Sequence, residues 1–224
     1  DYAFDGCTSL EKITFGKSVQ TIGDYVVRGC QLITDITIPK NVNNASYAFA
    51  ESYVENVVFE EGIKRIPDSI FRNSQHLNSV VIPEKEDTLD GYIIGDYAFA
   101  NSSLLKIKLP ESLTGIEDGA FSDCKGLETI SLPDNIRSIG DYCFSGCKNL
   151  SAIYFSKSLQ TIGDYCFRNC EEIKTMTIPS TVKNANYAFA DSCIETLIFA
   201  DNTVTVPYGI AIGNTHLKKV YLPE

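Results

Sequence analysis

Positive charge is scarce in this chain. Its 19 lysines and arginines face 29 aspartates and glutamates, for a formal net charge of −10 and a pI near 4.7. Phosphate backbones and anionic membranes need clustered Lys and Arg, so no nucleic-acid partner is expected. No apolar run approaches the length of a membrane-crossing helix, so no membrane insertion is expected either. Only two histidines occur, His76 and His216, each just before a core-type leucine. No serine, cysteine or acid is spaced to complete a catalytic triad with either. A Walker loop and a GxGxxG run are both missing, and the polar stretch 84–92 lacks the residue order of a calcium loop. These absences predict a non-enzymatic chain with no cofactor and no metal.

What the chain has instead is repetition. An apolar share of 44% is that of a folded protein. Aligning on one aromatic position gives Phe4, Val27, Phe49, Phe71, Phe99, Phe121, Phe144, Phe167, Phe189 and Ala211. The intervals are 22 or 23 residues, with a single one of 28. A fixed period of this size means one supersecondary unit copied many times, here about ten coils. After each aromatic, apolar residues follow at a spacing of three then two, as in Leu150, Ile153 and Phe155. The final pair alternates, which puts both side chains on one face of a strand. Proline follows that strand in six coils, from Pro39 to Pro223, marking where pairing between coils stops. Three residues before the aromatic position stands Asp, Ser or Asn in nine coils, for example Asp96, Asp118 and Asp141. Those residue types cap the first turn of a helix, so a short helical turn is predicted there.

One coil cannot bury its own apolar side chains, so neighbours must stack. Strands about 4.8 Å apart then form a parallel sheet along one side, concave because the opposite turns are bulkier. Two irregularities interrupt the pattern. Five extra residues fall within 83–93, predicting a polar loop at a coil junction. Residues 1–84 also match 141–224 without a gap, with about 39 of 84 pairs identical. Both termini lie inside repeats, so 1–224 reads as a single solenoid domain within a longer protein.

The string Ile139-Gly140-Asp141-Tyr142-Cys143-Phe144, followed by Cys147, Leu150, Ile153 and Phe155, resembles the BspA-like (Treponema-type) leucine-rich repeat. The best single match is Ile116 to Pro133, through Ala120, Phe121, Cys124, Leu127, Ile130 and Leu132. The resemblance covers the whole chain. It implies a leucine-rich-repeat solenoid of the α/β class, right-handed, with a concave parallel sheet and short helical turns opposite. It implies, too, an extracellular or cell-surface protein that meets host proteins, matrix or other cells. The motif residues are core residues, so a scaffold carries over and an active site does not.

Eight cysteines invite a disulfide or metal reading. Five of them, Cys7, Cys30, Cys124, Cys147 and Cys170, share one repeat position where other coils place Ser or Asn. A small, mildly polar, buried site explains that exchange, and the thiols are expected reduced and buried. Cys143 to Cys147 and Cys166 to Cys170 have zinc half-site spacing, but nothing completes the ligand set. Seven tyrosines (Tyr2, Tyr25, Tyr47, Tyr97, Tyr142, Tyr165 and Tyr187) recur at what would be the first helical position. They read as half-buried, or alternatively as a stacking strip for glycan.

The outward position between the two strand core residues discriminates between functions. A stalk or spacer needs only soluble side chains there. Val58, Val81, Tyr154, Ile198 and Tyr221 break that rule. The apolar choice recurs across the duplication, Val58 with Ile198 and Val81 with Tyr221. This pattern predicts a partner-binding concave face, with a protein as the expected partner.

Overall fold

The computed structural model describes residues 1–84 and 91–223. Most of the expected polar loop, 85–90, lies outside the described residues. Every strand pairing is parallel and joins successive coils. One face carries β1 (Asp35–Ile38), β2 (Asn56–Phe59), β4 (Ser79–Val81), β7 (Thr129–Ser131) and β9 (Ala152–Tyr154). It continues with β11 (Thr175–Ile178), β12 (Thr196–Phe199) and β13 (Lys219–Tyr221). Alternation is visible in β1 and β11, where Ile36, Ile38, Met176 and Ile178 are buried and the residues between them exposed. Ladder bonds divide this face into β1-β2-β4, β7-β9 and β11-β12-β13.

A second sheet was not foreseen. After the strand, the proline carbonyl accepts the N–H three residues on, Val42 from Pro39 and Ile136 from Pro133. Glu60 and Ser156 make the same turn to Ile63 and Leu159. Further along each coil lie the short strands β3 (Arg65–Ile66), β5 (Tyr92–Ile94), β6 (Leu113–Ile116), β8 (Ser138–Ile139) and β10 (Thr161–Ile162). These five form one parallel sheet in the order β10-β8-β6-β5-β3.

Two expectations are corrected. Among the described residues there is no helix. The segment expected to be helical instead holds two left-handed residues four apart, such as Tyr142 (φ 54°) and Gly146 (φ 74°), or Tyr165 (φ 54°) and Asn169 (φ 56°). A right-handed helix cannot pass through such residues, so each turn closes after one step. The presumed caps act elsewhere. Asp96 Oδ1 accepts the N–H of Asp118, Asp118 Oδ1 that of Asp141, and Asp141 Oδ1 that of Asp164, at 2.7–3.0 Å. Each carboxylate thus staples the next coil rather than starting a helix in its own. The count of coils also differs: ten were expected, and eight turns carry a strand on the first face. Segments 10–15 and 104–109 carry none.

Between the sheets runs a column of phenylalanines. Phe49, Phe71, Phe99, Phe121, Phe144, Phe167 and Phe189 are buried and stack with centroids 5.1–6.1 Å apart. Each buried ring contributes about 1.5–3 kcal/mol of transfer free energy. The column runs unbroken through Phe71, Phe99 and Phe121 past segment 104–109, so with the β3-β5-β6 ladder it joins the coils where the first-face ladder lapses.

Candidate recognition surface

Strand geometry decides what faces outward on the first sheet. In β1-β2-β4 the register sets Thr37 beside Val58 and Val58 beside Val81. Val58 and Val81 are 44% and 50% exposed. In β11-β12-β13 it sets Thr177 beside Ile198 and Ile198 beside Tyr221, with Ile198 partly covered and Tyr221 52% exposed. Tyr154 pairs instead with Ser131 in β7-β9 and is 63% exposed. The five residues therefore form two adjacent pairs and one separate tyrosine.

Shallow hollows lie along this same face. One of about 490 Å³ is lined by Lys106, Lys108, Ser131 and Tyr154, with Glu111 and Asp134 at its margin. Others of about 450 and 410 Å³ lie over Thr37 and Val58, and over Tyr154 and Thr177. Charge on the face is the feature the sequence reading missed. Its outward positions carry Lys12, Lys106, Lys108 and Lys219 against Asp35 alone, in a chain of net charge −10. Asp35 is already engaged by Thr34 Oγ1 and Asn56 Nδ2. Two-residue alternation would have revealed this excess, had both outward positions of every strand been tallied.

The tyrosines have a different geometry from a sugar-stacking strip. Tyr2, Tyr25 and Tyr47 stack on one another at 5.2 and 6.0 Å, and Tyr142, Tyr165 and Tyr187 at 5.3 and 6.1 Å. Arg28 covers Tyr2 and Tyr25, and Arg168 covers Tyr165. Inside each stack the ring faces are covered, and edges are what remain. Where Gly119 and Gly209 take the tyrosine's left-handed position, the ring of Tyr97 or Tyr187 fills the space of a Cβ.

The shared cysteine position also gains a reason. Cys124, Cys147 and Cys170 each donate Sγ–H to the carbonyl of Phe99, Phe121 and Phe144 in the coil before, at 3.0–3.1 Å. Ser74 Oγ does the same to Phe49 at 2.9 Å. Burial pushes the Cys124 thiol up to about 11 and those of Cys143, Cys147 and Cys170 upward as well. All eight cysteines are free, but Cys7 is exposed and Cys193 partly so, against the expectation of uniform burial. The two histidines sit apart, His76 stacked on Tyr53 and His216 exposed beside Thr215. Oxygens of Asp68, Asp96 and Glu117 lie within 4.8 Å of one another, and the Arg65 guanidinium pairs with Asp68 and Glu117.

The sequence profile of the BspA type leucine rich repeat region matches residues 1–93 and 92–218, in six copies. The chain belongs to this family. No curated protein matches it. Among solved structures it is similar to a leucine-rich repeat protein from Bacteroides ovatus, with 25% identity and a TM-score of 0.58. That match covers 90% of this chain and 58% of the other, so the chain spans little more than half the length of this relative. A leucine rich cell surface protein from Faecalibacterium prausnitzii aligns at 18% identity, TM-score 0.39, covering 92% and 77% of the two chains. The leucine-rich repeat protein of T. pallidum aligns at 21% identity, TM-score 0.48, covering 83% and 81%.

Proposed function

We propose that this chain is a non-enzymatic recognition module that binds a protein partner through the first sheet face, at an extracellular or cell-surface location. The supporting observation is the exposed apolar set Val58, Val81, Tyr154 and Tyr221, with Ile198 beside Tyr221, on a face whose other outward positions are mostly polar or charged. Nothing in the packing of a coil requires these side chains, because their neighbours in the strand already fill the core. Aromatic and aliphatic anchors over shallow hollows are what a protein interface uses. A spacer has no use for them.

The test replaces Tyr154, Ile198 and Tyr221 together by serine and measures binding of the labelled chain to epithelial cells and immobilised matrix proteins. Because these side chains point away from the core, the far-ultraviolet circular dichroism and melting midpoint should stay near wild type while binding falls to background. A folded triple variant that binds cells and matrix as well as wild type overturns this proposed function.

A further inference from the structure

Segment 104–109 is an inner stretch of the first face that lacks a strand, and it carries two lysines there. Lys106 and Lys108 are both exposed, and hollows lie on either side of them. One of about 320 Å³ is shared with Asn78, Ser79 and Val80, and the hollow of about 490 Å³ reaches Ser131 and Tyr154.

Two acids, Glu111 and Asp134, share the larger hollow with the lysines, and both have hydrogen-bond partners of their own. Asp134 pairs with Lys157 at 3.1 Å. Glu111 Oε2 accepts the N–H of Asp134 at 3.3 Å, and Glu84 Oε2 lies 3.5 Å from Ser112 Oγ. Lys148, Lys157 and Lys218 all have carboxylate partners, whereas Lys106 and Lys108 have none among the described residues. A neutral or basic partner covering this face would strip water from two unpaired ammonium groups. An acidic one would replace that water with counter-charge. Val81 and Tyr154 flank the lysines, three coils apart. At ordinary strand spacing that is about 14 Å, the reach of four to five extended residues.

We propose that the lysine-lined hollow of the sheet face binds an acidic, extended segment of a protein partner. Two carboxylates lie on Lys106 and Lys108, between apolar side chains seated on Val81 and Tyr154. This rests on the reading of the sheet face as the binding surface and names the chemistry of the partner. The lysines fall between the duplicated blocks 1–84 and 141–224, so the arrangement occurs once and takes one segment per chain.

The probe is a fluorescein-labelled peptide with two aspartates between leucines, alongside a twin carrying asparagines, titrated by anisotropy against the 224-residue chain. The expected result is one-to-one binding of the aspartate peptide, at least about tenfold tighter than its twin and weakened by salt. Lys106→Glu with Lys108→Glu should abolish that preference, while Lys183→Glu, off this face, should not. A Lys106→Gln, Lys108→Gln variant serves if charge reversal disturbs the circular dichroism. Equal binding of both peptides, no binding of either, or an unchanged preference in the lysine variants overturns the proposal. If the serine triple variant loses cell and matrix binding but the lysine variants keep it, the sheet-face function stands and the acidic-segment assignment falls. If the aspartate preference holds while the triple variant still binds cells and matrix, the hollow stands and the proposed function falls.

Discussion

At the scale of single residues, the cysteines show how position in the stack sets reactivity. A thiol attacks as thiolate, and burial raises the energy of the thiolate. Cys124, Cys143, Cys147 and Cys170 are all pushed upward by burial, and Cys30 follows in the same direction. Maleimide labelling of the native chain should therefore modify Cys7 and Cys193 quickly and the six buried thiols slowly. Unfolding without reductant should then expose all eight. Mass spectrometry after timed quenching reads both phases. Fewer than eight reactive thiols in the unfolded chain would show disulfides. The exchange of Cys for Ser at this position was legible from the sequence as small and mildly polar. The bond to the phenylalanine carbonyl of the preceding coil was not, because the two residues stand some 25 positions apart, as Ser74 and Phe49 do.

Element by element, the short turn after the second sheet is the part that sequence reasoning took for a helix. Asp before an aromatic is a good cap signal, and six residues are enough for one helical step. What prevents it is the left-handed tyrosine, a conformation costing a bulky residue about 1–2 kcal/mol. Ring stacking between coils and the N–H bonds to the next coil offset that cost. Each aspartate then lies against the next, which has a pH consequence. Burial, followed by the charges of Glu117, Asp68 and Asp118, raises the Asp96 carboxyl above its ordinary range, against the lowering effect of the Asp118 N–H. A raised folded value means the folded chain holds that proton more tightly than the unfolded one. The penalty is full at neutral pH and is relieved as pH falls through the raised value. Asp96→Asn keeps an acceptor oxygen, as Asn186 does for Tyr208, and removes the charge. Its melting midpoint should exceed wild type at neutral pH, with the gap closing below about pH 4. An equal gap at both pH values would show that charge is not the cause. Exposed pairs such as Asp134 with Lys157 act oppositely, since a lowered carboxyl contributes stability that is lost on acidification.

For the whole molecule, stability is shared between neighbours. Strand pairs join successive coils only, and the phenylalanine column links each coil to the next. In-frame deletion of residues 122–144 removes one period and should join matching ends. The shortened chain should keep its strand signal and cooperative melting, at a modestly lower midpoint, since an inner coil contributes mostly through its two interfaces. Circular dichroism during a thermal ramp measures this. Complete loss of strand signal would mean the chain behaves as one indivisible core.

The repeat period, the core positions of each coil and the apolar outward residues were all determined by the sequence alone. The reason is that every coil solves the same burial problem with residues a fixed number of places apart. Ile36 and Ile38 are recognisable as inward, and Thr37 as outward, without reference to any other coil. Tertiary structure decided what depends on two coils at once. It sent the aspartate oxygens to the next coil's N–H groups and set the tyrosines left-handed. It assembled a second sheet from strands as short as two residues, which have no periodicity of their own to read. It also gathered Lys106, Lys108 and Tyr154, which no spacing rule connects, around one hollow, because only stacking makes neighbours of residues a whole coil or more apart.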